Sequence, residues 1–573
     1  MKIMKRQIKK LVPFILILTL LVSCKKNLEE YNPSGTPVET SLNTPEGLEA
    51  AINASYTYNR NLYGKEEGYA LLEAGTDIWT NGANNGNTGI NGIFPNTPLT
   101  TYQGLIADNT WVNTALWVPC YAGINLCNTA LTYVTTSGLS DARRPTAEAE
   151  LRFMRAWYYW HLVESFGDIP FTLEPTDSKN IVTTATRTPV EKVYEQIFAD
   201  VNFAAANLAS TSSDYGRVTK PAAEAFLAKL FLTRGKNQEA SNYANKVIKS
   251  YNFSLLANYS DLWDITKEKN SEVVWALNYS TTLTHNAGSN LGHSMFLMDY
   301  TDLPGMKRDL VNGLANVRYM PTLFLLNLFN ENNDARYSAS FTSTWVANNA
   351  ATIPKWTVAE AANNASVLGP LVGKNKFEVG DTAVFVSKHP IDDFDQKYST
   401  HYRYRTYDVN DVYNANGTAK DRFHYLSLKK FNDPKRPSAT EGQSARDVYF
   451  FRLADMYLIA AEAQQKLGKL DSAAFFLNAV RKRAALPGKQ DAMNVLPATI
   501  TLDFILDERA REFAGEQMRW FDLKRAGKLV SRVKEHNPDL APNIMDFHAL
   551  RPIPQAQLSA VTNKAEFKQN PGY

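Results

Sequence analysis

Residues 451–485 read FRLADMYLIAAEAQQKLGKLDSAAFFLNAVRKRAA. Tyr457, Ala460, Ala461 and Gln464 follow three- and four-residue spacing, Leu467-Gly468-Lys469 interrupts them, and Ala473, Leu477 and Val480 resume the period. This is the pattern of two helices joined by a tight turn, with small residues where they cross, as in a tetratricopeptide pair. The same offsets occur earlier in the chain: Glu224, Leu227, Ala228 and Phe231, then Arg234-Gly235-Lys236, then Ala240, Ala244 and Val247. One copy alone is weak. Two copies with matching turns predict a mainly α fold, a helical body built on paired helices. Their wide separation excludes a regular solenoid, in which each repeat contacts only its neighbours.

On the N-terminal side the helical period recurs over 45–63, 111–134, 147–166 and 189–208. In the third of these, Leu151, Met154, Tyr158 and Leu162 form one stripe, and Phe153, Trp157 and Trp160 widen it almost all round. A helix so uniformly apolar is expected inside the protein. It stops at Gly167-Asp168-Ile169-Pro170, a glycine cap followed by proline. Pro119 perturbs the second helix, which carries Cys120 and Cys127. Seven helical residues separate these thiols by ~10 Å, beyond disulfide reach, so both read as small core side chains.

Between the two helix pairs the period disappears. Residues 280–443 are rich in Asn, Thr, Gly and Asp, with short extended pieces. Long irregular segments inside a compact protein are usually functional loops. The resulting division is a signal peptide (1–23), a lipidated tether (24–40), a helical part with the first pair (41–279), a loop-rich binding region (280–443) and a helical part with the second pair (444–573).

The first segment places the protein at a membrane. Lys2, Lys5, Arg6, Lys9 and Lys10 precede twelve mostly apolar residues, Leu11 to Val22. As a helix these twelve would span ~18 Å, short of a ~30 Å hydrocarbon core, so they read as a secretory leader. Leu21-Val22-Ser23-Cys24 follows and looks like a bacterial lipobox. That resemblance implies cleavage before Cys24 and acylation of its thiol. Several acyl chains would hold the body stably at the membrane surface.

The chain of 573 residues has 61 Lys+Arg against 58 Asp+Glu, a formal charge of +3. With the five leader cations removed, the remainder carries −2. A body this close to neutral argues against nucleic acid as a partner, which requires a basic face. Catalytic patterns are also missing. There is no HExxH, and His285 and His293 are isolated, reading as surface histidines without a metal. Residues 369–374 (GPLVGK) are one residue short of a P-loop and continue with Asn375. The motif DERAREFAGE (507–516) could pass for an acid/base site. Helical spacing instead pairs Glu508 with Arg511 and Asp507 with Arg511, an ion-pair network holding a helix whose apolar stripe is Leu502, Ile505, Leu506 and Phe513. No cofactor and no metal site is expected.

The chain resembles the SusD/RagB family of nutrient-binding outer-membrane lipoproteins of Bacteroidetes-type bacteria. The resemblance rests on Cys24, on ELRFMRAWYYWHLVESFGDIPF (150–171), on Leu428-Lys429-Lys430-Phe431 leading into 451–468, and on LNAVRKRAA (477–485). It continues through DERAREFAGEQMRWFDLKRAGK (507–528), LRPIPQA (550–556) and QNPGY (569–573). It implies a non-catalytic receptor that captures oligosaccharides, or peptides in the RagB branch. It also implies a SusC-like TonB-dependent β-barrel transporter as partner, at the outer membrane and facing the cell surface. An assembly scaffold that binds no ligand and, last, a glycoside hydrolase are the remaining readings.

A sugar offers an apolar C–H face to an aromatic ring and a hydroxyl edge to Asn, Asp or Arg. Trp79 in GTDIWTNGANNGN (75–87) sits among Asp77, Asn81, Asn84 and Asn85, and is the leading expectation for a stacking platform. Trp345 and Trp356, also in apparent loops, and Tyr300, near Asp299 and Asp302, are the other candidates.

Overall fold

In the computed structural model, which describes residues 38–83, 96–176, 181–282, 284, 290–398 and 402–573, the expected helices form in order. They are α1 (Pro45–Thr57), α2 (Val118–Tyr133), α3 (Arg144–Phe166), α4 (Val190–Asn207), α5 (Lys220–Thr233), α6 (Asn237–Ser250), α7 (Leu453–Lys466), α8 (Leu470–Arg483), α9 (Leu502–Phe513), α10 (Arg519–Arg525) and α11 (Leu529–His536). Local chemistry explains several of their ends. Thr44 accepts from the Gly47 amide at the start of α1, with Pro45 at its first position. Gly167 closes α3 at φ 73°, a conformation that glycine adopts without a Cβ clash. Upstream of Pro119, residues Val112–Trp117 form a π-helical turn before α2, the perturbation that the proline foretold.

The two helix pairs are α5–α6 and α7–α8, turning at Gly235 and Gly468 with φ of 70° and 73°. Though far apart in sequence, they stack on each other through α6 and α7. Ala240, Ala244, Ala460 and Ala461 are fully buried, and Gln464 Nε2 donates to Ser241 Oγ at 2.6 Å. Alanine lets the helices pack closely, and this buried polar pair is satisfied internally. A strand pair joins the two halves: β2 (Val273–Leu277) runs antiparallel to β9 (Val448–Arg452), with Trp275 opposite Phe451. Inside this layer α3 packs Trp157 against Trp160, Trp275 and Phe450 at 5.1–5.3 Å between ring centroids. Cys120 and Cys127 are buried free thiols, as expected.

Residues 290–443 carry brief helices and strands around a second apolar core. It contains Phe296, Tyr300, Tyr319, Trp345, Val384 and Tyr425. The same core draws in Ile78 and Trp79 from the N-terminal part and Ala510 and Ala514 from the C-terminal part. The strand β1 (Trp79–Asn81) pairs antiparallel with β3 (Tyr319–Pro321), Thr80 opposite Met320. A two-residue pair joins β4 (Phe341–Thr342) to β8 (Ser427–Leu428). Finally β5 (Thr344–Val346), β6 (Thr382–Val386) and β7 (Arg405–Tyr407) form a three-stranded sheet, antiparallel between the first two and parallel between the last two.

Candidate functional site

The aromatic residues singled out in the sequence are core residues. Trp79 is 0% exposed; its Nε1 donates to Glu73 Oε1 at 2.9 Å and its ring lies 4.5 Å from that of Phe296. A ring covered by protein has no free face, so the stacking-platform expectation for Trp79 is corrected. Tyr300 is equally buried, stacked on Trp345 at 4.5 Å and 18°, with its hydroxyl donating to Gly313 O. Trp345 is buried in β5, and Trp356 packs with Ala361 and Leu368 beneath the Lys376 ammonium. Asp77 is fully buried between Arg519 and Arg532, at 2.6 and 2.8 Å. Burial pushes its carboxyl up, but the two guanidiniums outweigh this and hold it below the usual range. Asn81 is nearly buried at the end of β1. Asn84, Asn85 and Cys24 lie outside the described residues. His293 is another correction: it is buried, with Nε2 facing Gly442 O at 3.0 Å, rather than on the surface.

Exposed aromatic surface appears elsewhere on the second core. The Ala83 amide donates to Arg422 O at 2.9 Å, and Arg422 Nη1 donates to Asn81 O while Nη2 pairs with Asp539 at 3.0 Å. These bonds fix the edge of the Asn-rich segment against residues 421–424. The next residue, Phe423, is 49% exposed, and its carbonyl accepts from the Asp299 amide. His424 follows, its ring stacked on Tyr407 at 4.5 Å and 10°, with Nδ1 on Asp421 Oδ2 at 2.8 Å. Burial raises the Asp421 carboxyl, yet the hydrogen bonds from His424 and the Phe423 amide bring it below its ordinary value. Arg405 lies over the Tyr407 ring at 5.3 Å.

Residues 402–407 (YRYRTY) lead into and include β7, whose Arg405 and Tyr407 lie on the same side of the strand. Arg403 and Arg405 are exposed, Tyr402 and Tyr404 half-buried, and Thr406 buried. The two tyrosine rings meet edge-on at 4.9 Å, with hydroxyls 3.4 Å apart. They open onto a cleft of about 260 Å³ that also takes in Pro304, Phe377 and Gln396. The arrangement offers rings for C–H faces beside guanidinium, imidazole and carboxylate groups for hydroxyls. Attention to tryptophan missed it; a two-residue alternation of Tyr and Arg was the available signal.

The acidic motif near residue 510 is structural, as anticipated. Glu508 contacts Arg336, Arg481 and Arg511, and Glu512 contacts Arg336, Arg452 and Arg483, all within 3.1 Å. Both glutamates are fully buried; burial raises their carboxyls, and the surrounding guanidiniums more than reverse it, leaving Glu512 at about 2. Asp507 pairs with Arg532 instead of Arg511. Among the described residues, no group of three or more His, Cys, Asp or Glu is placed to hold a metal, and no helix is long and apolar enough to cross a membrane.

Comparison with known proteins agrees with this architecture. The chain is 25% identical over 568 residues to SusD-like protein P25 of Formosa agariphila, covering 96% of this chain and 97% of that one. It is 24% identical to the starch-binding protein SusD of Bacteroides thetaiotaomicron, across 80% of this chain and 78% of the relative. Among solved structures, a SusD homolog from Bacteroides thetaiotaomicron superposes with a TM-score of 0.68 at 20% identity, over 95% of this chain and all of the other. A laminarin-binding SusD-like protein gives 0.64 at 22% identity, over 92% of this chain and all of that one. These likenesses establish the fold. Residues 69–232 match a family described as starch-binding and associating with the outer membrane. Residues 271–573, more than half of the chain, match the SusD family, and the protein belongs to it.

Proposed function

We propose that this protein is a non-catalytic receptor that captures oligosaccharides at the outer membrane and passes them to a SusC-like TonB-dependent β-barrel. Cys24 is the acylated anchor, and the body faces the cell surface. The observation that carries the reading is the half-exposed Phe423 ring, set between the edge of the Asn-rich segment and the Tyr407–His424 stack. Asn84 and Asn85, which follow Ala83 in the sequence, remain the proposed ligand-contacting amides. Arg405, over the Tyr407 ring, extends the face, and Tyr402 and Tyr404 line the cleft that Arg405 also borders. The roles expected of Trp79, Tyr300, Trp345 and Trp356 become supportive, since their packing forms the core beneath this surface. The names of the starch-binding and laminarin-binding relatives favour saccharide over the peptide ligands of the RagB branch.

Calorimetry of the purified, detergent-solubilised protein against neutral glucan oligosaccharides and mixed peptides tests the proposal. Covering ~80 Å² of sugar surface by a ring is worth ~2 kcal/mol, about thirtyfold in affinity. Saturable glucan binding weakened to that extent in Phe423→Ala supports the receptor and its face. Peptide binding alone would move the function to the RagB-like reading. Neither, with a β-barrel still co-purifying, would leave an assembly scaffold.

A further inference from the structure

A second, larger cleft shares no lining residue with the one beside Tyr402. It measures about 850 Å³ and lies between the loop 255–264, the short helix Ala335–Ser340, Lys429, and the end of α8 with residues 485–490. Its chemistry differs from that of the aromatic face. Tyr259 in its wall is buried, its hydroxyl donating to Glu512 O at 2.8 Å and its ring beneath the Arg483 guanidinium at 5.3 Å. No ring face is therefore offered by this tyrosine. Arg483 is itself committed, its two terminal nitrogens bound to Glu272 and Glu512 at 2.5 Å each.

Two cations in the lining are not committed. Lys430 turns inward onto Glu512 O and Glu516 Oε1, at 3.0 and 3.3 Å. Its neighbour Lys429 is exposed towards the cleft, and its ammonium makes no ion pair with any described carboxylate. Partial burial lowers the Lys429 pKa, and no acidic group offsets that shift. Lys482, exposed on α8, has no acidic partner among the described residues either. The acidic residue in the lining is Asp264, which accepts from the Thr266 amide and hydroxyl at 2.9 and 2.7 Å and has Lys267 at 3.8 Å. Lys267 pairs more closely with Asp261, at 2.7 Å, so Asp264 keeps its charge; two lysines unpaired among the described residues against this one lining carboxylate still leave the cleft with a cationic balance. Asn258, Ser260, Ser338 and Gln490 add hydroxyl and amide groups.

The rim also discriminates between ligand classes. The Ala335 amide donates to Ala484 O, the Leu486 amide to Asn333 O and the Lys429 amide to Ser340 O, at 2.7–2.8 Å. With these backbone groups satisfied, the rim offers no free strand edge there for an extended peptide to join. Side-chain amides, hydroxyls and ammoniums remain, the groups that suit a charged, hydroxyl-rich chain.

We propose that this cleft is a second ligand site, for an anionic oligosaccharide whose carboxylate or sulfate groups pair with Lys429 and Lys482. Neutral sugars would use the Phe423 face, and acidic ones this cleft. The test measures binding of oligogalacturonate and of sulfated galactan oligosaccharides to the detergent-solubilised full chain, to a Lys429→Ala/Lys482→Ala double variant and to Phe423→Ala. The expected result is saturable binding of one or both that weakens with added salt, falls about tenfold or more in the double variant, and is unchanged in Phe423→Ala. Uronate binding alone would identify carboxylate recognition, and binding of the sulfated chain alone sulfate recognition. Failure of both saccharides to bind, equal binding by the double variant, or binding of an acidic peptide in their place would overturn the proposal. A thermal midpoint unchanged in the double variant separates a lost site from a lost fold. Loss of neutral glucan binding in Phe423→Ala reports on the other face independently.

Discussion

The charged groups around residues 503–525 and those around residues 402–424 have opposite surroundings. In the first region Glu508, Glu512, Asp522 and Arg509 are buried, and each makes more than one ion pair. In the second, Arg403 and Arg405 are exposed; Arg405 lies over the Tyr407 ring that stacks on His424, and Phe423 beside His424 is half-exposed. A buried guanidinium surrounded by carboxylates has its hydrogen-bonding capacity consumed, which makes it part of the scaffold. An exposed one beside an aromatic face retains donors for a ligand. Density of charged residues in the sequence therefore marks structure here, and the ligand surface lies where the charges are sparser and solvent reaches the rings.

Breaking the buried region should have the largest effects. Glu512→Ala would leave Arg336, Arg452 and Arg483 short of a shared buried acceptor, at a cost of about 3–5 kcal/mol in chemical denaturation. Trp79→Ala should cost about 3–5 kcal/mol through a core cavity and the loss of one of the hydrogen bonds to buried Glu73, and it should lower stability before it alters any ligand affinity. Phe423→Ala reverses the pattern: about 2 kcal/mol lost in ligand binding, with stability within about 0.5 kcal/mol of the parent.

Acid sharpens the same contrast. Burial raises the Glu462 carboxyl, but Arg525 and Lys466 overcome this and hold it at about 2, against 4.5 when free. Its contribution to stability is complete above pH 4.5 and is lost as pH falls towards 2; Glu512, also at about 2, behaves the same way. Glu73 moves in the opposite direction. Burial lifts it to about 7 despite hydrogen bonds from Gly515 and Trp79, so its contribution declines as pH rises from 4.5 towards 7. Denaturation midpoints measured across pH should show the steep acid limb and a shallower loss towards neutrality. The smallest expected effect is at the thiols. Burial pushes Cys120 far up and Cys127 to about 12, so neither should react with a thiol reagent until the protein unfolds.

The helical body was legible because its information is local. Ala240, Ala244, Ala460 and Ala461 reveal their helices by spacing alone, and Gly167, Gly235 and Gly468 mark where helices stop. The ion-pair character of residues 507–516 was legible for the same reason, but its partners were not: Asp507 joins Arg532, and Glu512 reaches Arg336, 176 residues away. Trp79 was misplaced because β1 is three residues long and its strand partner lies at 319–321, which leaves no period to detect. Asp77 was misread for a similar reason, its two arginines being supplied by α10 and α11. The Tyr402–Tyr407 alternation was visible, but only the pairing of β7 with β6, and the stacking of Tyr407 on His424, turn it into a face.

The central claim is that the Phe423 face, and not the buried tryptophans, binds saccharide. Its most direct test is titration of a neutral glucan oligosaccharide into the parent protein and Phe423→Ala, with thermal midpoints measured on the same samples. The account predicts saturable binding by the parent and an affinity about thirtyfold weaker in the variant, at an unchanged midpoint. Equal affinities for the two proteins would contradict it and place the ligand elsewhere on the molecule.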